Sequence, residues 1–538
     1  MNENVASVYE AVADADGDYV ALVQGERRIA WHALDDRAAR LAGHLQAAGL
    51  KPGDRIVIAL YNSIEYFETL LAAFKARVTP VNINYRASPK ELRYFFERGE
   101  AGAIVYHQSL AAIVAEAADA MRSPRALIAV PDGSGAAPVP GSVDYMAAIA
   151  ETPPAPRIPR SGDDQLIIFT GGTTGLPKPV LWKHSVLLTL LARNAGNATT
   201  FDQFGAAAVA ARAAGTQLHT FILPPMMHST GLLGVMGALA SGGTVLLSQS
   251  RSLDPDLVWR EIRHERVDSM TIVGDVFARP LIEALRRLPV EAARDAASSL
   301  KIIRSVGVRW SPDAKAELLE FGDMTLLDML ASTEGGPVAS WETRMEGGKI
   351  VTKYTLLPTA FLVDEAGERI ALGSGKTGMV VSAGILPEGY IGERADGTTG
   401  TFRVIDGKRV VITGDYARAE LDGTLTLIGR GSSVINTGGE KVYADEVEGV
   451  LAQHPGVADV IVAGIPDPRW GHLVGAVVAR RPGAKVDEQE LIDLVGHELA
   501  GYKKPRRIEF VDEIQRKATG KADRQWASAV LTEDGTHA

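Results

Sequence analysis

Apolar positions along residues 20–106 switch repeatedly between short solid runs and a spacing of three and four. Leu34, Ala38, Leu41 and Leu45 recur at helical intervals, and Gly49 follows where a C-terminal cap belongs, so a helix is expected there. RIVIAL at 55–60 is a short unbroken apolar run and predicts a buried strand. Ser63 then stands as the N-cap of a helix through Leu70 and Phe74, and Ser88-Pro89 opens the next with proline at its favoured first position. Ala103 to Tyr106 reads as another strand. Strands alternating with helices predict an α/β class in which helices flank mainly parallel sheets.

Two Pro/Gly/Ala-rich stretches, 131–141 and 152–162, read as surface connections. Asn194 to Gly215 is Ala-rich and helical in character, either a flap over a pocket or a plain surface helix. After it TFILPPMMHSTG, TVLLS, SMTIVGD, KIIRSVGVRW and MTLLDMLASTEGG repeat a strand-then-loop unit. Ligands of open α/β sheets gather beyond the carboxyl ends of the strands, which directs attention to the polar residues at these exits, His228 among them. Val410 to Arg430 gives two strands joined by a turn at Asp422-Gly423. Strand patterns at Val457–Ile465, Leu473–Ala479 and Arg507–Val511, with a helix at Glu490–Leu499, complete a small α+β domain. The expected division is 1–430 and 431–538.

Composition narrows the classes. Among 538 residues, 23% are charged and 46% hydrophobic, ordinary for a soluble globular protein, and the net charge of −10 argues against non-specific nucleic-acid binding. With no cysteine there are no disulfides, thiolate metal sites or Cys nucleophiles. No apolar run reaches the roughly 18 residues of a membrane span, and the N-terminus lacks the basic and apolar regions of a signal peptide, so the expected location is the cytoplasm.

Chemistry concentrates at Leu166 to Val180, LIIFTGGTTGLPKPV. An apolar strand breaks into glycines, whose backbone can turn N–H groups toward an anion. Thr hydroxyls add neutral donors and Lys178 adds a point charge. The Walker pattern does not fit, because Pro177 precedes and Pro179 follows Lys178, which disfavours a Walker-type NTPase. Gly375-Lys376-Thr377 is likewise no Walker loop, since Ile370 occupies the place of its first glycine, and it reads as a hairpin turn.

The loop resembles the signature T-S-G-[ST]-T-G-x-P-K-G of the adenylate-forming superfamily, which contains acyl-CoA synthetases, adenylation domains and luciferase. Thr170, Gly171, Gly172, Thr173, Thr174, Gly175, Pro177 and Lys178 carry the likeness. Pro179 replaces the usual last glycine and removes a backbone donor, so Pro179→Gly is expected to lower the KM for ATP. PPMMHSTG resembles the element whose histidine, here His228, lies beside the substrate carboxylate. Ser305 to Arg309 stands where the family passes along adenine and acyl group, which implies contacts from Gly307, Val308 and Arg309. Asp328 to Glu334 resembles Y-G-x-T-E. It retains Thr333 and Glu334, the implied Mg²⁺ contact, while Leu330 and Ala331 replace the aromatic platform, leaving Asp328 and Leu330 at the nucleotide.

Thr413-Gly414-Asp415 matches the T-G-D whose Asp binds both ribose hydroxyls, and Arg430 matches the arginine that closes on the nucleotide. Ser432 falls at the family's hinge. Gly438, Gly439, Glu440 and Lys441 match the loop that lines the CoA tunnel after the lid turns, and Lys521 matches the adenylation lysine. These elements, in family order from 170 to 521, imply a large N-terminal domain with a small mobile C-terminal lid. They also imply ATP, Mg²⁺ and coenzyme A as cofactors and a two-step conversion of a carboxylic acid to its CoA thioester. GGTTG with Trp182 and NTGGEKVYADEVE look most like actinobacterial fatty-acid and steroid-side-chain CoA ligases.

Met226, Met227, Val308 and Trp310 suggest a hydrophobic acid, whether aliphatic, aromatic or polycyclic. A carrier-protein thiol as acceptor stays open, as does a weakly active acyl- or nucleotide-binding paralogue, which Pro179, Leu330 and Ala331 motivate. No nucleic-acid partner is expected, and assembly is left open, with a homodimer as one option.

Overall fold

Each cap foreseen at the N-terminal end organises a helix. Ser63 Oγ accepts from Tyr66 N at 3.3 Å to open the helix Ile64–Ala76, and Ser88 forms a capping box with Glu91 at the head of Pro89–Arg98. Leu34, Ala38, Leu41 and Leu45 are buried along the helix Trp31–Ala47. The computed structural model describes residues 3–118, 124–170, 177–307, 310–392, 400–430, 433–437, 440–467, 470–499, 501–517 and 522–532.

The chain divides into two compact units, one of Met1–Leu357 with Ala383–Gly397, the other of Pro358–Ser382 with Thr398–Ala538. The first holds two large sheets. An eight-stranded sheet runs parallel through Gln165–Thr170, Thr79–Asn82, Arg55–Ala59, Ala101–His107, Ala126–Val130 and Val143–Asp144. On its other side lie the antiparallel Lys178–Lys183 and then Gly389–Tyr390. A nine-stranded sheet has six parallel strands, Thr325–Ser332, Ile302–Val306, Ser269–Ile272, His219–Ile222, Thr244–Leu246 and Val20–Gln24, with an antiparallel hairpin of Gly336–Glu346 and Lys349–Leu356 at one edge and the antiparallel Arg27–Ala30 at the other. Strand interiors such as Ile167, Val57 and Ile303 are fully buried, as helix-covered parallel sheets require.

The Ala-rich helix Phe201–Ala213 is the plain surface helix of the two options. Gly205 lies so close to the first helix, Ala6–Asp16, that a Cβ there would stand 2.6 Å from the Ala11 carbonyl.

The second unit carries an antiparallel sheet that includes Lys408–Ala419 and Leu425–Arg430, the pair foreseen around Asp422-Gly423. Gly375-Lys376-Thr377 is not the hairpin turn expected: Gly375 N donates to the Ala419 carbonyl at 2.8 Å, Ala419 N donates to the Lys376 carbonyl at 2.9 Å, and Thr377 opens the strand Thr377–Ser382. The C-terminal part is α+β as expected, with Val457–Asp467 and Gly471–Arg480 antiparallel and Arg507–Val511 parallel to the latter. Among the described residues no helix is long and apolar enough to cross a membrane.

Two buried histidines make the first unit acid-sensitive. The Nδ1 of His107 accepts from Tyr61 N and that of His184 from Val5 N, each at 3.0 Å. Burial lowers both rings to about 4. Their neutral forms favour the fold, so this stability is complete above the unfolded value near 6.5 and is lost as pH falls toward 4. Unfolding free energy is therefore expected to drop by roughly 3 kcal/mol per histidine across that window. Urea titrations at pH 7 and pH 4.5 check this, and a flat profile would contradict it.

Candidate active site

The phosphate-loop sequence is the connection of a hairpin. Gln165–Thr170 pairs antiparallel with Lys178–Lys183, and Thr170 opposite Lys178 is the last pair before it. Gly171, Gly172, Thr173, Thr174 and Gly175 lie outside the described residues. Its C-terminal shoulder is held by Tyr94, whose hydroxyl donates to the Pro177 carbonyl at 2.9 Å, while Tyr94 and Phe95 pack edge-on against Phe169.

Pro179 belongs to the ladder. It is buried opposite Phe169, and its carbonyl accepts from Ile391 N at 3.0 Å. In that register the second bond of the pair would run from residue 179 N–H to the Ile391 carbonyl. Proline has no such donor, and the Arg98 guanidinium supplies it instead. Gly392, at φ +80°, makes room, since a Cβ there would stand 2.6 Å from that guanidinium. Pro179→Gly is thus expected to alter stability rather than the KM for ATP, a revision of the expectation from sequence. Arg98→Met should cost about 1 kcal/mol in the wild type and much less beside Pro179→Val, which restores an N–H. Urea midpoints of the four proteins test this coupling, and equal costs would contradict it.

The His228 loop is anchored by the other sheet. Asn62 Oδ1 accepts from Met226 N at 2.7 Å, Asn82 Nδ2 donates to the Met226 carbonyl at 2.8 Å, and the Tyr66 hydroxyl donates to the same oxygen at 3.1 Å. These polar groups, buried at Tyr66 and Asn82 and half-buried at Asn62, tie the exit of His219–Ile222 to the ends of Arg55–Ala59 and Thr79–Asn82. Gly231 permits the bend, because a Cβ there would meet the Pro225 carbonyl at 2.4 Å. His228 stands at the N-cap position of the helix Ser229–Ala240 without a side-chain capping bond, and Ser229 Oγ lies 2.9 Å from Thr333 Oγ1.

Thr333 and Glu334 occupy the tip of the hairpin between Thr325–Ser332 and Gly336–Glu346, where Ser332 pairs with Gly336. The Tyr390 hydroxyl donates to Glu334 Oε1 at 3.0 Å, and Lys178 Nζ stands over the Tyr390 ring, 4.7 Å from its centroid. An acidic oxygen donor and a cation from two different sheets thus meet at one aromatic residue. A single carboxylate beside a lysine suits Mg²⁺ that takes its other ligands from phosphates and water, so the residues present fit Mg·ATP. Nothing in ILPEGYIG marks Tyr390 in advance. Its partner strand alone places it.

Leu330 is half-buried in the strand opposite Ala339, followed by a bulge at Ala331. Gly307 ends Ile302–Val306 at φ +109°, a conformation glycine adopts without strain, and Val308 and Arg309 lie outside the described residues. Asp328 is paired with Lys315 at 2.9 Å, while burial raises its carboxyl above the usual range. Met226, Met227 and Trp310 are buried in three separate hydrophobic cores, so the structure does not gather them into an acyl pocket.

In the second unit Asp415 is buried and registers with Arg430 across the ladder. The side chains of Arg430, Glu440 and Lys441, together with Gly438, Gly439, Ser432 and Lys521, lie outside the described residues. The ends of the segment bearing Lys521 are anchored. Arg516 bridges to Ala522 and grips Asp459 through two bonds, at 3.0 and 2.6 Å, while Arg524 binds Asp445 and Glu448.

Comparison with known proteins places the chain in a family. Residues 9–390 match the AMP-binding enzyme family and residues 446–521 its C-terminal domain. The chain is 37% identical over 537 residues to the 3-oxocholest-4-en-26-oate–CoA ligase of Rhodococcus rhodochrous, covering 98% of this chain and 96% of the relative. It is 38% identical over 550 residues to the medium-chain acyl-CoA ligase Mig of Mycobacterium avium, covering 97% of each. In fold it resembles ATP-bound MatB from Rhodopseudomonas palustris, with a TM-score of 0.81 at 24% identity over 99% of this chain and 100% of that one. With matches over both of its parts and relatives aligned along nearly its whole length, the chain belongs to the AMP-binding enzyme family.

Proposed function

We propose that the protein is an ATP-dependent acyl-CoA ligase that activates a hydrophobic carboxylic acid as its acyl-adenylate and then passes the acyl group to coenzyme A. The observation that carries this reading is the meeting of Lys178 and Glu334 at Tyr390. A carboxylate attacking the α-phosphorus must overcome repulsion between anions, so positioning and positive charge supply the catalysis. Lys178 holds phosphate oxygens, Glu334 holds Mg²⁺, and His228 lies on the side where the carboxylate enters. Mg²⁺, when bound, neutralises charge on the phosphates. The chain's remaining task is orientation, because an ionised nucleophile needs no general base.

In the same reading Asp415 and Arg430 hold the ribose, and the body of 1–430 carries a lid of 431–538 that turns at Ser432. Lys521 serves adenylation and the Gly438 loop serves the thiol. Relatives named for steroid side-chain and medium- to long-chain fatty acids favour an extended apolar acid over acetate. Pyrophosphate release with ATP and Mg²⁺ across such acids, with acetate beside them, tests the substrate class. Preference for acetate would overturn it.

A further inference from the structure

We infer that Tyr390 is a positioning residue that sets the metal-holding carboxylate with its hydroxyl and the phosphate-loop ammonium with its ring. The inference rests on the proposed reading of Glu334 and Lys178. Its geometry follows from strand register. Tyr390 pairs with Val180 at the edge of the eight-stranded sheet. Lys178, two residues along the same strand, falls on the same face as Val180, and a long side chain at that diagonal reaches an aromatic ring. The ring face attracts the ammonium through its quadrupole and so sets where it stands.

Glu334 arrives from the other sheet, at a hairpin tip fixed by Gly336. That glycine, at φ +62°, packs beside the Ile385 carbonyl, 3.5 Å from where a Cβ would stand. Residues 385 and 390 belong to the short segment that returns to the first unit, so one segment seats the tip and supplies the tyrosine. The hydroxyl's bond to Oε1 leaves Oε2 for a cation and restricts rotation of the carboxylate. Tyr390 forms no bond to the reacting atoms and acts through the two groups that do.

The test separates hydroxyl from ring. Tyr390→Phe removes only the first, Tyr390→Leu removes both, and Glu334→Gln removes the group on which the hydroxyl acts. ATP binding is measured by calorimetry in the absence of acid and CoA, across a Mg²⁺ series, with the thermal midpoint as a folding check. Tyr390→Phe should raise the Mg²⁺ concentration for half-maximal ATP binding by about tenfold, with affinity recovered at saturating Mg²⁺. Tyr390→Leu should keep a further loss of about two- to fivefold that Mg²⁺ does not rescue. In the Glu334→Gln background Tyr390→Phe should add no further shift.

A Mg²⁺ midpoint unchanged in Tyr390→Phe, or an equal shift in the Gln background, would overturn the inference. Failure of wild-type protein to bind Mg·ATP would overturn it as well. Wild type that binds Mg·ATP but releases pyrophosphate with no acid would sink the ligase reading alone, since the binding series judges Tyr390 independently.

Discussion

Lys521→Ala is expected to depress adenylate formation by ~10²- to 10³-fold while leaving thioester formation near normal. Lys521 lies in the C-terminal segment whose ends are fixed by the bridge of Arg516 to Ala522 and by Arg524 on Asp445 and Glu448. If this lysine is brought to the transferring phosphate, its ammonium stabilises charge that develops only in the first half-reaction. After pyrophosphate leaves, that charge is gone. Supplying pre-made acyl-adenylate and CoA isolates the second half-reaction, and supplying acid, ATP and CoA measures both. Collapse of the full reaction with survival of the second half supports a lid that alternates. Loss of both halves would contradict the division of labour.

The second large effect concerns stability. Glu10 lies in a buried charge cluster: Lys75 Nζ is 2.6 Å from its Oε1, and Arg160 donates to both carboxylate oxygens at 2.7 and 2.9 Å. Burial pushes the Glu10 carboxyl upward, but Arg160 and Lys75 outweigh it and hold it below the ordinary range, so it stays ionised. Lys75 also reaches Asp35 at 2.6 Å. The cluster ties the helix Ala6–Asp16 to the helix Ile64–Ala76 and to the segment leading into Gln165–Thr170, the strand before the phosphate loop. Glu10→Ala leaves Arg160 buried without its carboxylate and should cost about 3–5 kcal/mol. This measures the penalty of breaking the cluster, which is distinct from its worth against an apolar core. Urea unfolding at pH 7 with an unchanged slope would establish the loss. A cost below about 1 kcal/mol would mean that water entering the neighbouring cavity of about 280 Å³, lined by Asp35, Lys75 and Arg157, solvates the stranded cations.

Caps and strand runs were legible because they are local. Ser63, Ser88-Pro89 and the run at 55–60 act within a few residues of themselves, and each forms the element its pattern predicts. What pairing and packing decide was not legible. Pro179 reads as a loop residue beside Lys178, yet register makes it a ladder position served by Arg98 from a helix some eighty positions earlier. Met226, Met227 and Trp310 are apolar beside motif residues, but apolarity does not distinguish a pocket wall from a core, and all three are core. Asp328 sits two positions before Leu330, and only the fold shows Lys315 at its carboxylate. Tyr390 lies over fifty residues from Glu334 in the chain and meets it through a sheet edge.

On the proposed reading the acid becomes an acyl-adenylate before it becomes a thioester. Attack of the carboxylate on the α-phosphorus makes one of its oxygens the bridge of the mixed anhydride, and thiol attack at the acyl carbon then releases that oxygen with AMP. A hydrophobic acid labelled with ¹⁸O in its carboxylate, incubated with the protein, ATP, Mg²⁺ and CoA, should therefore yield AMP carrying one ¹⁸O per acyl-CoA formed, read by mass spectrometry. Label in pyrophosphate or phosphate, or acyl-CoA formed with unlabelled AMP, would contradict it.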